Sequence, residues 1–214
     1  MGKKLLVLAN TVLAGVLLTL PATGAHAANV VRKYTYFPIY GKTAAELDHA
    51  LSQNGPFLQK TGQHHPGATE IRFDAKVKYG KNAGESCKVQ DIRVNVYAKI
   101  SLPVWKHRSR AEGDIQLVWD TLLKDIRRHE ESHIIIARTH ANELERKVRA
   151  LHSRKDCAEL RKDIDRLTEK LLAEHDKAQE RFDRVETINF EKRFERLLIK
   201  NLEKRKQRES RQAP

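Results

Sequence analysis

Residues Arg128-His129-Glu130-Glu131-Ser132-His133-Ile134 hold the pattern His-Glu-x-x-His within a stretch of helical periodicity. Side chains four apart on a helix share a face, one turn apart, so His129 and His133 can converge on one Zn²⁺. Glu130, one residue round, can reach a water at the open position of such a metal. The chemistry implied is hydrolysis. Bound zinc lowers the pKa of its water towards ~7, and Glu130 takes the proton as general base while the water attacks a carbonyl.

The element carrying this motif has to be long and half-buried. Ile115, Val118, Trp119, Leu122, Ile126, Ala137, Ala141 and Leu144 recur at helical spacing, with His129 and His133 on the same stripe. A pair of hydrogen-bonded core histidines is the bland alternative. It demands a separate buried partner for each ring, whereas one metal serves both.

Around that helix the sequence reads as an α+β domain. Val31 to Tyr40 is rich in β-formers, and Thr43 with Glu46 makes a capping box for a short helix ending at Asn54-Gly55-Pro56. Ile71, Phe73, Ala75, Val77 and Tyr79 alternate with polar residues, and Gly80 to Gly84 turns the chain into a second alternating run, Ile92 to Leu102. These features predict a small antiparallel sheet with one face buried. His64 and His65 fall in a Gly/Pro-flanked loop and read as solvated. Ser109 and Glu112 suggest a second capping box, opening a helix that continues to about Leu151. After a break at Ser153 to Asp156, Leu160, Ile164, Leu167, Leu171, Ala178, Phe182 and Val185 predict a second long helix, antiparallel to the first.

The expected organisation is an export signal over 1–27, one domain over 28–189 and a basic helical tail over 190–214. The signal has Lys3 and Lys4, an apolar run from Leu5 to Leu20, and Ala25-His26-Ala27 as a cleavage site. No later stretch has the ~20 apolar residues of a membrane span. The mature chain is therefore expected to be periplasmic or secreted. Cys87 and Cys157, the only cysteines, are expected to pair in an oxidising compartment, since neither has a Cys or His at zinc-ligand spacing. The formal net charge of +13 is weighted towards the tail, with Lys192, Arg193, Arg196, Lys200, Lys204, Arg205, Lys206, Arg208 and Arg211. A frayed solvated helix is the plain reading of that tail, and attraction to anionic envelope surfaces the sharper one. Nucleic acid is not expected as a partner, because the tail lacks aromatics interleaved among its basic residues.

The order Cys87-Lys88-Val89, Leu102-Pro103-Val104-Trp105, Trp119, then Arg128 to His133 resembles an uncharacterised bacterial domain family described as secreted zinc-dependent proteases, within the wider zincin-like group. The likeness extends through Cys157 to Ala178-Gln179-Glu180-Arg181-Phe182-Asp183 and covers most of the mature chain. It implies a zincin-like fold and proteolytic activity on a peptide or protein substrate. Members typically continue with a Thr-x-His-Gly-like ending, where this chain has Glu186-Thr187-Ile188-Asn189.

A catalytic zinc site takes a third protein ligand. If the helical hairpin turns near residues 154 to 155, His133 lies opposite about residue 176 and His129 opposite about 180. Glu174, on the apolar stripe between Leu167 and Ala178, is the first choice, because a carboxylate there is otherwise an expensive core residue. His175 is the second. Asp183 is favoured by the family-like motif but falls off the regular stripe, and Glu180 and Glu186 remain open. The reading is thus an exported zinc metallohydrolase, with His129, His133 and Glu174 on the metal and Glu130 as base. The alternative is a non-catalytic envelope module with a structural metal or none.

Overall fold

A computed structural model describes residues 27–81 and 84–212. The expected export segment lies outside the described residues, apart from Ala27. Strand β1 spans Asn29–Ile39, helix α1 Ala44–Asn54, the short strands β2 and β3 Phe57–Leu58 and Gln63–His64, β4 Ala68–Lys81, β5 Cys87–Trp105, α2 Gly113–Arg149 and α3 Cys157–Gln212. The protein is a mixed α+β structure in which a three-stranded sheet, ordered β1-β5-β4, supports α2, and α3 runs back along α2.

The alternation read in the sequence is the hairpin β4–β5, paired from Ala68 opposite Ser101 to Lys81 opposite Cys87. Ile92, Val94, Val96, Ala98, Ile100 and Leu102 are all buried, so this face of β5 forms the floor beneath α2. The sheet is not wholly antiparallel, as the sequence suggested: β1 pairs with β5 in parallel, from Asn29 opposite Asn95 to Ile39 opposite Trp105. A parallel pair needs a crossover, and α1 with the β2–β3 hairpin occupies the start of it. Periodicity within β1 marks a strand but carries no information about its neighbour.

Because that pairing begins at Asn95, earlier residues of β5 have no β1 partner. Side chains of α2 take over. The Val94 N–H donates to Glu145 Oε1 at 2.7 Å, and Arg149 Nη2 donates to the Ile92 carbonyl at 2.6 Å. Arg149 also donates to Glu145 Oε2, so both buried backbone groups and the Glu145 carboxylate are satisfied together.

Thr43 caps α1 as expected, accepting from the Glu46 N–H at 3.2 Å, while Glu46 Oε2 accepts from the Lys42 N–H. The second capping box does not form. Ser109 sits in a 3₁₀ turn over Arg108–Arg110, Glu112 is the N-cap without a side-chain bond, and Gln116 Nε2 donates back to the Arg108 and Ala111 carbonyls. Trp119 packs edge-on against Trp105 with ring centroids 5.9 Å apart, joining α2 to the end of β5.

Cys87 and Cys157 form a disulfide with a Cα separation of 5.1 Å, closing a loop of 70 residues. On the chain-entropy account this bridge stabilises the fold by about 4 kcal/mol. Arg154 pairs with Cys87 through two backbone hydrogen bonds of 2.8 Å, so the connection between the helices docks on the sheet rather than turning tightly. Past Asn189, α3 continues without a break, and its last part is not a frayed tail. Asn201 Nδ2 donates to Thr121 Oγ1 at 2.9 Å and Arg205 Nη2 to Asp114 Oδ1 at 2.6 Å, holding it against the first half of α2. Among the described residues, no helix is long and apolar enough to cross a membrane.

Candidate metal centre

His129 and His133 project from the middle of α2 toward α3, over the buried cluster of Ala98, Ile100, Leu102, Ile126 and Ile134. Phe182 of α3 braces both rings, stacked on His129 at 4.9 Å and edge-on to His133 at 5.2 Å. The two Nε2 atoms lie 3.2 Å apart, and Asp183 Oδ1 lies 3.3 Å from that of His129 and 3.2 Å from that of His133. Among the described residues, this is the cluster of ligand-type side chains able to hold a metal.

The triangle of donors fits zinc. Ligands about 2.0–2.1 Å from a tetrahedral zinc are separated by roughly 3.3 Å, which matches one face of such a tetrahedron. Two imidazoles and a carboxylate suit a borderline metal, and three protein donors leave a fourth position open. Without a metal, burial pushes the Asp183 carboxyl up, but hydrogen bonds from His129 and His133 outweigh it and hold the group well below the usual carboxylate range. Burial opposes the charged form of His133, yet the bonds to Asp183 and Gln179 raise it above an ordinary histidine.

Glu174, the expected third ligand, is not in this cluster; Asp183 is. The difference is a rotation of one residue in the stripe of α3. Beyond Leu171 the positions that meet α2 step to His175, which is 6% exposed, and then to Gln179 and Phe182, with Asp183 beside them, rather than to Glu174 and Ala178. The docked connection also shifts the pairing by about a turn, so that His129 meets residue 183 instead of 180. Asp183 is half-exposed at the rim and needs no place in an apolar stripe. Glu180 pairs with Lys60, and Glu186 with Arg128 and Arg193.

Glu130 is 4% exposed. Its Oε2 accepts from Thr69 Oγ1 at 2.8 Å, and Thr69, at the start of β4, also donates to the Glu130 carbonyl at 3.1 Å. Burial raises its carboxyl above the ordinary range, against the Thr69 bond and the two histidines. A raised carboxyl is a better match to proton transfer near neutral pH. Gly67 makes room for it, since a Cβ there would lie 2.8 Å from Glu130 Oε1 and 2.9 Å from Ile126 Cγ2.

A cleft of about 720 Å³ opens beside Glu130 and His129. One wall is α1 with the loop His64 to Gly67, another the stretch Glu186 to Arg193 of α3. His65, read as solvated from the sequence, is half-buried on this wall. Burial lowers its pKa, outweighing the opposing effect of the Asp183 carboxylate. Its loop is tied back by His64 Nδ1, 2.6 Å from the Gly55 carbonyl, and by close contact of Gly55 with the His65 carbonyl, where a Cβ would stand 2.0 Å away. The Gly/Pro flanks marked a loop, but its direction of folding is set by these tertiary contacts.

No match was found among curated proteins or among solved structures. Residues 34–190 match the family described as bacterial protein of unknown function, DUF922, a span that includes both cysteines, the His-Glu-x-x-His helix and Asp183. The chain belongs to the DUF922 family.

Proposed function

We propose that the protein is an exported zinc-dependent metallohydrolase, a peptidase, with His129, His133 and Asp183 holding the metal. The observation that carries this reading is the triangle of two Nε2 atoms and one Oδ1 with edges of 3.2 to 3.3 Å, set beside a buried glutamate at the edge of a cleft. Zinc bound there would supply Lewis acidity and an acidified water at neutral pH.

The chain's own residues do the rest. Glu130, fixed by Thr69, accepts the proton of the attacking water and returns it to the leaving group. Phe182 limits rotation of both imidazoles and covers them from water. The cleft wall from Glu186 to Arg193 and the His65 loop receive the peptide on either side of the scissile bond. Export is supported by the Cys87–Cys157 bridge, since disulfides persist in oxidising compartments. The exposed Lys192, Arg196, Lys200 and Lys204 of α3 supply a basic face suited to anionic envelope surfaces.

Elemental analysis of the mature protein, purified without chelators, tests the reading. About one zinc per chain is expected, lost in His129→Ala, His133→Ala and Asp183→Ala alike. Protein that carries no zinc and takes none up from a micromolar buffer overturns it.

A further inference from the structure

Two polar side chains beside the centre, the buried His175 and the half-buried Gln179, have no part in the chemistry proposed above. Yet they form one directed hydrogen-bond chain. The His133 carbonyl can only accept, so the atom of Gln179 facing it at 3.1 Å is the amide nitrogen. That places Gln179 Oε1 against His133 Nδ1, at 2.6 Å, and Nδ1 must carry the hydrogen. The second N–H of the same amide meets His175 Nε2 at 2.8 Å, which must accept. His175 then carries its hydrogen on Nδ1 and donates it to Asp176 Oδ1 at 3.0 Å. Every donor in the chain has an acceptor, and the direction admits no reversal.

We infer that Gln179 is the positioning residue of the metal centre: its carbonyl oxygen fixes the His133 ring with Nδ1 protonated, leaving the Nε2 lone pair directed at the metal. His175, a candidate ligand from the sequence, is two hydrogen bonds removed from the ligand His133 and orients the amide instead. Its ring packs edge-on to Phe73 at 5.0 Å and is only 6% exposed, so the anchor is rigid. Groups that fix the free nitrogen of a ligating histidine set ligand basicity and orientation, and their loss typically weakens metal binding by about 10–100-fold. The inference rests on the zinc reading above.

The test is competitive zinc titration of the wild type, Gln179→Met and Gln179→Glu, with thermal unfolding of each zinc-free protein. Gln179→Met keeps the volume and removes both acceptor and donors, so zinc affinity falls about 10–100-fold and the zinc-free protein loses stability. Gln179→Glu keeps the acceptor and loses both donors. Its zinc affinity therefore returns to within a few-fold of wild type while its zinc-free stability stays low, a separation that a merely structural role does not produce. In the zinc-loaded wild type the His133 Nδ1 hydrogen exchanges slowly by NMR, and in Gln179→Met it exchanges fast. Equal affinity of wild type and Gln179→Met overturns the inference alone, as does a Gln179→Glu protein as weak as Gln179→Met. A wild type that binds no zinc overturns the zinc reading and the inference with it.

Discussion

The Glu130 carboxylate owes its place to two small features, the Thr69 hydroxyl that donates to it and the missing side chain at Gly67. Gly67→Ala would put a methyl group 2.8 Å from Oε1, and the side-chain end, rather than backbone, has to yield. We expect peptide hydrolysis to fall about tenfold or more from a displacement of this size, with zinc content unchanged and stability lowered by about 1 kcal/mol. Retained activity in Gly67→Ala would show that the carboxylate position does not matter. Glu130→Gln is the sharper change, because Gln still accepts from Thr69 but takes no proton; a loss of about 10²–10⁴-fold at constant zinc content is expected. Glu131→Gln is the control. Glu131 accepts from the Tyr34 hydroxyl at 2.9 Å, a bond the amide oxygen preserves, so equal losses from the two variants would remove Glu130 from the mechanism. At this scale the sequence is informative where spacing within one helix decides the outcome, as for His129, Glu130 and His133. It is uninformative where two helices have to be aligned. Asp183 and Glu174 differ by less than three turns of α3, and the rotation of the α3 stripe together with the docking of Arg154 on Cys87 chooses between them.

Elements hold these residues through contacts that no hydropathy pattern reveals. The alternation of β5 foretold its buried face, but the same residues end up with two backbone groups beyond the reach of β1. Glu145 and Arg149, one turn apart on α2, look like an ordinary surface ion pair in the sequence; Glu145 is 3% exposed and serves as a strand partner. Glu145→Ala leaves the Val94 N–H without its acceptor inside the main core and deprives Arg149 of one of its two acceptors, the Ile92 carbonyl remaining. A destabilisation of about 2–3 kcal/mol is expected in urea unfolding of the zinc-free protein. Glu145→Gln still accepts from Val94 and should cost less than half of that. If Glu145→Ala unfolds at the wild-type midpoint, Glu145 is not what satisfies the open edge of β5.

For the molecule as a whole, the informative contact is between the last third of α3 and the helix of the metal centre. Asp125 lies one turn before His129 on α2 and is 4% exposed; Arg193 Nη2 reaches its Oδ2 at 3.1 Å and Arg128 Nε its Oδ1 at 3.0 Å. Burial alone would raise the Asp125 carboxyl, but bonds from Arg193 and Arg128 outweigh it and set the group below its ordinary value. A depressed carboxyl contributes stability above its unfolded pKa of about 3.9, and that contribution is lost as pH falls through the lower folded value. Residues 34–190 match the family, so a chain ending at Phe190 keeps the matched span yet lacks Arg193. Removing one of the two cations bonded to a buried carboxylate costs about 1.5–3 kcal/mol, since Arg128 still compensates part of the Asp125 charge. We therefore expect the chain ending at Phe190 and the full-length Arg193→Ala protein to lose stability at neutral pH by amounts of that order. Both should also lose part of the acid-dependent change that the wild type shows below about pH 4, since Asp125 is then held down by Arg128 alone. Asp125→Asn should remove that share of the pH dependence in the presence of Arg193. Chemical unfolding of the zinc-free proteins at pH 7 and at pH 3 measures both effects. A truncated protein as stable as the full chain at pH 7, with an unchanged acid response, would mean that the end of α3 merely lies on the domain.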